Sequence, residues 1–171
     1  MLEACAAPGS AVCLRVPVLY GETVPRDNNK ESAVNVLMDA VWKSQDPKNK
    51  VVMDDYAIRY PTNTADVARV CRDIASLYIS KQGKDLPKIL HFSSEDRMTK
   101  WEITKIFGEI MDLPVDKIEP DAESGKKPAA DGTLRPYDCH LSTDELKKLE
   151  IDVSTVDFAV WWKRWVGAYR H

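Results

Sequence analysis

Residues 14–21 read Leu-Arg-Val-Pro-Val-Leu-Tyr-Gly. Together with the residues just ahead, they make an apolar run from Ala11 to Leu19 that ends at a Tyr20-Gly21 turn. A short apolar run bounded by turn residues is the pattern of a strand buried on both faces. In a doubly wound α/β protein such a strand needs parallel neighbours on both sides. Only residues 2–7, which predict the last turns of a helix stopped by Pro8-Gly9, lie ahead of it. The expected fold class is therefore α/β, and the chain reads as the back half of a larger fold.

Composition narrows the class. The chain has 171 residues, enough for one domain with a real core. Hydrophobic residues make up 44% and charged residues 30%, values ordinary for a globular protein. A net charge of −3 argues against a nucleic-acid surface, which needs a basic excess. No apolar run approaches the ~20 residues of a membrane helix. The opening Met-Leu-Glu-Ala-Cys-Ala-Ala carries an acid and no basic stretch, so it does not read as a signal peptide. Cys5, Cys13, Cys71 and Cys139 are too scattered for a zinc knuckle or a CxxC pair. They are expected to be buried, unreactive free thiols in a reducing cytoplasm.

Periodicity supplies the elements. Glu31–Ser44 places Val34, Leu37, Met38 and Val41 at helical spacing. Val51–Met53 predicts a short strand, Asp54-Asp55 a turn, and Ile58–Pro61 extended chain. Thr64 is the expected N-cap of a helix whose stripe is Val67, Val70, Cys71, Ile74 and Tyr78, with Gly83 and Pro87 bracketing its exit. Lys88–Phe92 reads as a strand. Thr99-Lys100-Trp101-Glu102 is a capping box with Met98 and Ile103 as its hydrophobic staple. Ser142-Thr143-Asp144-Glu145 predicts a second box, stapled by Leu141 and Leu146. Residues 119–136, with Pro120, Gly125, Pro128 and Gly132, are expected to form a long loop. A last helix is expected over Thr155–Tyr169, carrying Trp161, Trp162 and Trp165. These boundaries divide the chain into 1–22, the end of a nucleotide-domain sheet; 23–154, an α/β lobe; and 155–171, a helix and tail.

Signals for autonomous chemistry are missing. The chain has seven glycines, and none form GxGxxG or GxxxxGK[ST]; HExxH and GxSxG do not occur either. His91 lies in a strand, where a backbone carbonyl is its expected partner. His140 stands next to Cys139 without further ligands nearby in sequence, so no metal site is expected. Asp54, Asp55 and Asp66 are explained by a turn and a helix first turn. Arg59 and Arg135 differ. Each opens an irregular stretch, Arg-Tyr-Pro-Thr and Arg-Pro-Tyr-Asp. An arginine there serves either bidentate capture of phosphate or carboxylate, or a structural ion pair.

Several segments, in order, carry a resemblance. They are Leu14–Gly21; Arg59-Tyr-Pro-Thr-Asn-Thr-Ala-Asp-Val-Ala-Arg-Val-Cys71; His91-Phe-Ser-Ser-Glu-Asp-Arg-Met-Thr-Lys-Trp-Glu102; and Arg135-Pro136 with Leu141-Ser142 and Lys147–Ile151. The series resembles the C-terminal half of extended short-chain dehydrogenase/reductases. Within them it is similar to the dTDP-4-dehydrorhamnose reductase-like branch, which takes in the regulatory beta subunits of methionine adenosyltransferase. The resemblance implies a Rossmann-type sheet, here only its last part, and a small substrate-binding lobe. It also places a glycine-rich dinucleotide loop and a Tyr-x-x-x-Lys pair upstream of Leu14, and neither occurs in this chain. No catalytic residue is therefore assigned.

Carried over position by position, the resemblance implies that Pro17, Val18 and Leu19 match the strand end near the cofactor's nicotinamide. Arg59 and Thr62 match the entry to the substrate lobe, and Arg135 and Pro136 match the substrate-facing loop. NADP is the cofactor of the intact family, and this chain alone is not expected to hold it tightly. In the regulatory subunits the tail is implied to dock on the catalytic adenosyltransferase subunit, here through Trp165, Tyr169, Arg170 and His171. Aromatic and arginine side chains are common interface anchors. Trp161 and Trp162 are open to either docking or packing.

The reading that follows is a cytoplasmic, non-catalytic regulatory-subunit-like protein that supports S-adenosylmethionine synthesis. Its alternative is the C-terminal part of an NADPH-dependent nucleotide-sugar reductase. A buried-type strand without neighbours exposes unpaired backbone and invites aggregation. The isolated chain is therefore expected to be poorly soluble or partly molten. Calorimetry giving a sharp, cooperative melt for a monomer would contradict this.

Overall fold

The computed structural model describes residues 11–23, 28–82, 85–126, 128, 132–134 and 136–167. The helix expected over residues 2–7 and the exit glycine Gly83 lie outside the described residues.

The run Ala11–Leu19 forms two short strands where one was expected. They are β1 (Cys13–Arg15) and β2 (Leu19–Tyr20). Pro17, between them, has no N–H to give a ladder and restrains Val16 ahead of it. The break sends the two pieces to different partners. Two further strands, β4 (Thr62–Asn63) and β5 (Ile89–His91), receive them. β1 pairs in parallel with β5, Leu14 opposite Leu90. β2 pairs in parallel with β4, Tyr20 opposite Asn63. A third parallel ladder joins β3 (Val51–Asp54) to β6 (Ile118–Asp121), Val51 opposite Ile118. β6 occupies the start of the stretch expected to be loop, and its Pro120 sits opposite Met53.

The helices are α1 (Leu37–Ser44), α2 (Thr64–Ser80), α3 (Lys100–Met111), α4 (Asp144–Lys148) and α5 (Phe158–Gly167). α1 starts later than its periodicity suggests. The Ser32 hydroxyl accepts the N–H groups of Val34 and Asn35 and donates to the Leu19 carbonyl. That local bonding holds residues 33–36 in turns before the helix settles. The apolar face is the expected one, with Val34, Leu37, Met38 and Val41 all buried.

α2 is capped by Asn63, one residue before the expected Thr64. The Asn63 side chain accepts the Ala65 N–H at 2.9 Å. Thr64 instead lies against Gly21, where any Cβ would strike its hydroxyl. Val70, Ile74 and Tyr78 are buried as expected, but Cys71 is exposed. Cys13 is exposed too and Cys139 is half-buried, so three of the thiols expected to be buried are accessible.

α3 carries the predicted capping box. The Thr99 hydroxyl accepts the Glu102 N–H at 3.1 Å, and the Glu102 carboxylate accepts the Thr99 N–H at 2.7 Å. Met98 and Ile103 are both buried in one core. The second box does not form. Thr143 is the N-cap of α4 without a side-chain cap bond, and Lys148 takes the Glu145 carboxylate at 2.6 Å. Ser142 accepts the Asp144 N–H instead.

Two cores result. Tyr20, α1, β3, α3, β6 and α5 enclose one, with Phe107, Phe158 and Trp162 at its centre. The other lies under α2, β5 and α4, where Val70, Ile74, Leu90, Phe92 and Leu146 meet. The strand break at Pro17 is what lets one stretch of chain enter both.

Thr99 bonds beyond its own helix. Its hydroxyl also donates to the Asp55 carboxylate at 2.8 Å. Thr99→Ala removes the cap and strands that carboxylate, so a loss of about 1–2 kcal/mol is expected in urea unfolding. Thr99→Ser keeps both bonds and should recover most of it.

Asp54 closes the turn after β3. Partial burial raises its pKa, but the Tyr56 and Ala57 N–H groups, the Ser124 hydroxyl and the nearby Arg59 outweigh that and hold it below the usual carboxylate range. A depressed pKa contributes stability above the ordinary carboxylate range and loses it as the pH falls through the folded-state value. Asp54→Asn keeps the acceptor oxygen and removes the titration. The stability gap between wild type and this variant should be largest near neutrality and narrow on acidification; denaturant midpoints across pH 3–7 check this.

Candidate functional site

Three segments distant in sequence meet beside β4. Arg59 pairs both ways with Met98, at 2.8 and 3.0 Å. The Ile58 N–H donates to the Tyr137 carbonyl at 2.7 Å. The stretch 58–60 thus carries the chain of 93–98 on one side and of 137–140 on the other.

Side chains continue the link. Arg59 Nη1 donates to the Ile58 carbonyl at 2.9 Å and reaches Cys139 Sγ at 3.5 Å. The Tyr60 ring lies 4.7 Å from the His140 ring, and its hydroxyl donates to Asp138 at 3.4 Å. Burial, then the Asp138 carboxylate, push the Tyr60 phenol pKa up, so it remains a donor at neutral pH. Asp138 also accepts the His140 N–H at 2.8 Å, and His140 Nε2 pairs with Glu95 at 2.9 Å. Among the described residues no cluster of His, Cys, Asp and Glu could hold a metal ion.

Arg59 is half-buried and its Nη1 braces its own loop. Thr62 is fully buried. Its hydroxyl donates to the Tyr60 carbonyl at 3.1 Å and accepts the Ser94 N–H at 2.9 Å, so it ties β4 to the end of β5. Pro136 is exposed beside Tyr137, whose ring meets Tyr56 at 4.8 Å. Arg135 lies outside the described residues. The structure therefore brings Arg59, Thr62 and the Pro136 segment together around Tyr60. The partners Tyr60, Glu95, Asp138 and His140 were not anticipated. The adjacent Asp138-Cys139-His140 triplet was their one sequence signal, and its partner at 58–60 is some eighty positions away.

Pro17 and Val18 lie in the break between β1 and β2, and Leu19 opens β2. Pro17 has no N–H, the Val18 carbonyl accepts the Thr62 N–H at 3.0 Å, and the Leu19 carbonyl accepts the Ser32 hydroxyl. These residues offer a strand end and no array of amides for a pyrophosphate. Taken alone they do not fit a dinucleotide.

The tail helix is positioned from β4's side. The Asp66 carboxylate accepts the Val156 N–H at 2.9 Å, and Arg69 binds the carbonyls of Asp152 and Ser154. Asp96 accepts the Phe158 N–H at 3.2 Å. α5 then buries Trp162 completely, edge-on to Phe107 at 4.8 Å. Trp161 lies 5.2 Å from Tyr20, and Trp165 stacks on Trp161 at 5.9 Å. One side of Trp165 is thus taken up within the chain. Tyr169, Arg170 and His171 lie outside the described residues. His91 differs from expectation, since its buried Nε2 has no hydrogen-bond partner among the described residues.

Comparison with known proteins places the chain. Residues 4–160 match the RmlD substrate binding domain. Methionine adenosyltransferase 2 subunit beta of Danio rerio is 37% identical over 151 residues, 88% of this chain and 43% of that protein. The dTDP-4-dehydrorhamnose reductase of Clostridium acetobutylicum superposes with a TM-score of 0.65 at 16% identity, over 92% of this chain and 48% of the reductase. The Bacillus anthracis dTDP-4-dehydrorhamnose reductase, solved in complex with NADP, gives 0.61 at 15% identity, over 91% and 46%. At such identities the two structures speak to the fold, which is that of Rossmann-type extended short-chain dehydrogenase/reductases. The chain spans less than half the length of these relatives. It belongs to the RmlD substrate binding domain family.

Proposed function

We propose that this chain is a non-catalytic, regulatory-subunit-like protein. In this reading it binds the catalytic subunit of a methionine adenosyltransferase in the cytoplasm and supports S-adenosylmethionine synthesis. The observation that carries it is the 37% identity to a methionine adenosyltransferase 2 subunit beta across 88% of the chain. The site geometry agrees with that role. Thr62 and Arg59 Nη1 bond within the chain, where they brace a scaffold. No helix among the described residues is long and apolar enough to cross a membrane.

Partner contact is assigned to the end of the chain: Trp165, Tyr169, Arg170 and His171. α5 supports this because its start is fixed by Asp66, Arg69 and Asp96, while its inner face is anchored by Trp162. A rigidly mounted helix delivers the residues after it at low entropic cost. Pro17, Val18 and Leu19 would meet NADP, and Arg59, Thr62, Arg135 and Pro136 a substrate, only in a complete fold. That arrangement belongs to the alternative, a reductase of nucleotide sugars.

The test is co-purification with a methionine adenosyltransferase catalytic subunit. Removing residues 168–171 is expected to weaken the complex by about tenfold or more, as loss of hot-spot side chains does. The melting temperature should move by less than about 2 °C. Undiminished binding by the shortened chain would remove the tail assignment. No binding by the intact chain, together with NADPH-dependent reduction of a dTDP-4-keto sugar by the native protein, would favour the reductase.

A further inference from the structure

The two outer edges of the β3–β6 sheet are unlike. The Asp55 N–H donates to the Asp121 carbonyl at 3.0 Å. In a parallel ladder the backbone groups of alternate residues point to the same edge. With Val51 opposite Ile118 and Asp54 opposite Asp121, it is Val51, Met53 and Asp55 that bond to β6. Lys50, Val52 and Asp54 turn their N–H and C=O groups the other way, and among the described residues no strand lies on that side. The far edge of β6 is closed by comparison. The Ile118 N–H already donates to the Val115 carbonyl at 3.0 Å, and Pro120 has no N–H to give.

Val51 and Met53 point into the core, which leaves Lys50, Val52 and Asp54 on the outer face, Val52 with 51% of its surface exposed. Edge strands are usually blunted by charge, lysine above all, or by proline. Lys50 blunts this edge against most partners, but the stretch Lys50-Val51-Val52-Met53-Asp54 is complementary to itself. Laid antiparallel on a second copy, with Val52 opposite Val52, it sets Lys50 opposite Asp54 of that copy. The two-fold axis then repeats the pair. Opposite charges placed in this way stabilise an antiparallel pair, and like charges destabilise it. Both groups can take part. Lys50 meets Glu119 at 3.0 Å in an exposed pair that contributes little. The Tyr56 and Ala57 N–H groups and the Ser124 hydroxyl all reach Asp54 through Oδ1, which leaves Oδ2 for the lysine.

We propose that the free edge of β3 is a self-association surface whose partner is a second copy of this chain. Pairing is antiparallel about Val52 and makes one continuous sheet in the order β6–β3–β3–β6. Val52, facing its own copy, exchanges a reciprocal pair of N–H···O=C bonds, and each Lys50–Asp54 pair exchanges another. The surface is isologous, and the closed edge of β6 offers no second site, so assembly stops at a dimer and does not run on into a filament. The contact is small, so association is weak and depends on concentration. This inference is independent of the adenosyltransferase reading, and no readout below involves that enzyme.

Sedimentation velocity on the 171-residue chain, from micromolar to millimolar concentration, should show a reversible monomer–dimer equilibrium with no larger species. Lys50→Glu sets like charges opposite each other and should weaken the dimer by about tenfold or more. Val52→Pro removes an N–H that points away from β6, so it should abolish the dimer and leave the far-ultraviolet circular dichroism unchanged. The register is read by cysteine cross-linking under air oxidation, with the linked peptides identified by mass spectrometry. Val52→Cys places two thiols on strand positions about 5.5 Å apart, within reach of a disulfide. Lys50→Cys places them about 13 Å apart along the strands and should not link. A monomer at every concentration overturns the proposal. Growth past the dimer, association that Val52→Pro leaves unchanged, or equal cross-linking at the two positions overturns it as well, because each puts the contact elsewhere or in another register.

Discussion

The missing N–H of Pro17 organises this molecule. A strand without the proline would run straight from Ala11 to Leu19 along a single neighbour. With it, the ladder stops at Arg15 and restarts at Leu19 on a different partner. The first piece joins the core of α2 and α4, and the second delivers Tyr20 to the aromatic core of α3 and α5. Thr62 then links the two systems, since its N–H holds the Val18 carbonyl while its hydroxyl holds the Ser94 N–H. A brace of that kind is effective because it is buried. Water cannot replace either bond, and breaking one leaves an unpaired polar group inside.

Two carboxylates extend that frame to the tail. Asp66, in the first turn of α2, and Asp96, just past β5, each accept a backbone N–H from the segment leading into α5. Arg69 adds two carbonyls and ion pairs with Asp66 and Asp152. Individually these are modest, partly exposed interactions. Their effect lies in direction, because they fix where α5 begins. The energy comes from Trp162, whose complete burial against Tyr20, Phe107 and Phe158 makes its loss comparable to other large-to-small core changes, about 3–5 kcal/mol. Polar contacts aim the helix and aromatic packing holds it.

Elements written in local sequence were legible. The Thr99–Glu102 capping box and its staple could be read because every partner lies within a few residues. The apolar stripes of α1 and α2 could be read for the same reason. What failed was set by competition or by distance. The second capping motif has the same residue types, yet Lys148 takes the Glu145 carboxylate that the box requires. Cys71 fits an apolar stripe by spacing, but it sits at the margin of the stripe of Val70 and Ile74, where it is exposed to solvent. β6 was hidden because proline and acidic residues argue for loop, while pairing with β3 tolerates them on an outer strand. The polar cluster around Tyr60 was not legible at all. It depends on the chain at 58–60 meeting 95–98 and 137–140, and no local pattern encodes that.

The site and the open ladder are two views of one property. Around Tyr60 the chain ties its own segments together, and Arg59 and Thr62 spend hydrogen bonds on the scaffold. At β1 it does the reverse, leaving backbone groups, apolar side chains and the His91 nitrogen without partners among the described residues. Among the described residues, the Leu14 N–H and C=O are on the edge of the β1–β5 ladder away from β5, beside exposed Cys13 and Ile89. The mounted α5 asks nothing comparable, since its apolar face is already satisfied by Trp162 and Phe158. β1 and α5 therefore present different kinds of surface.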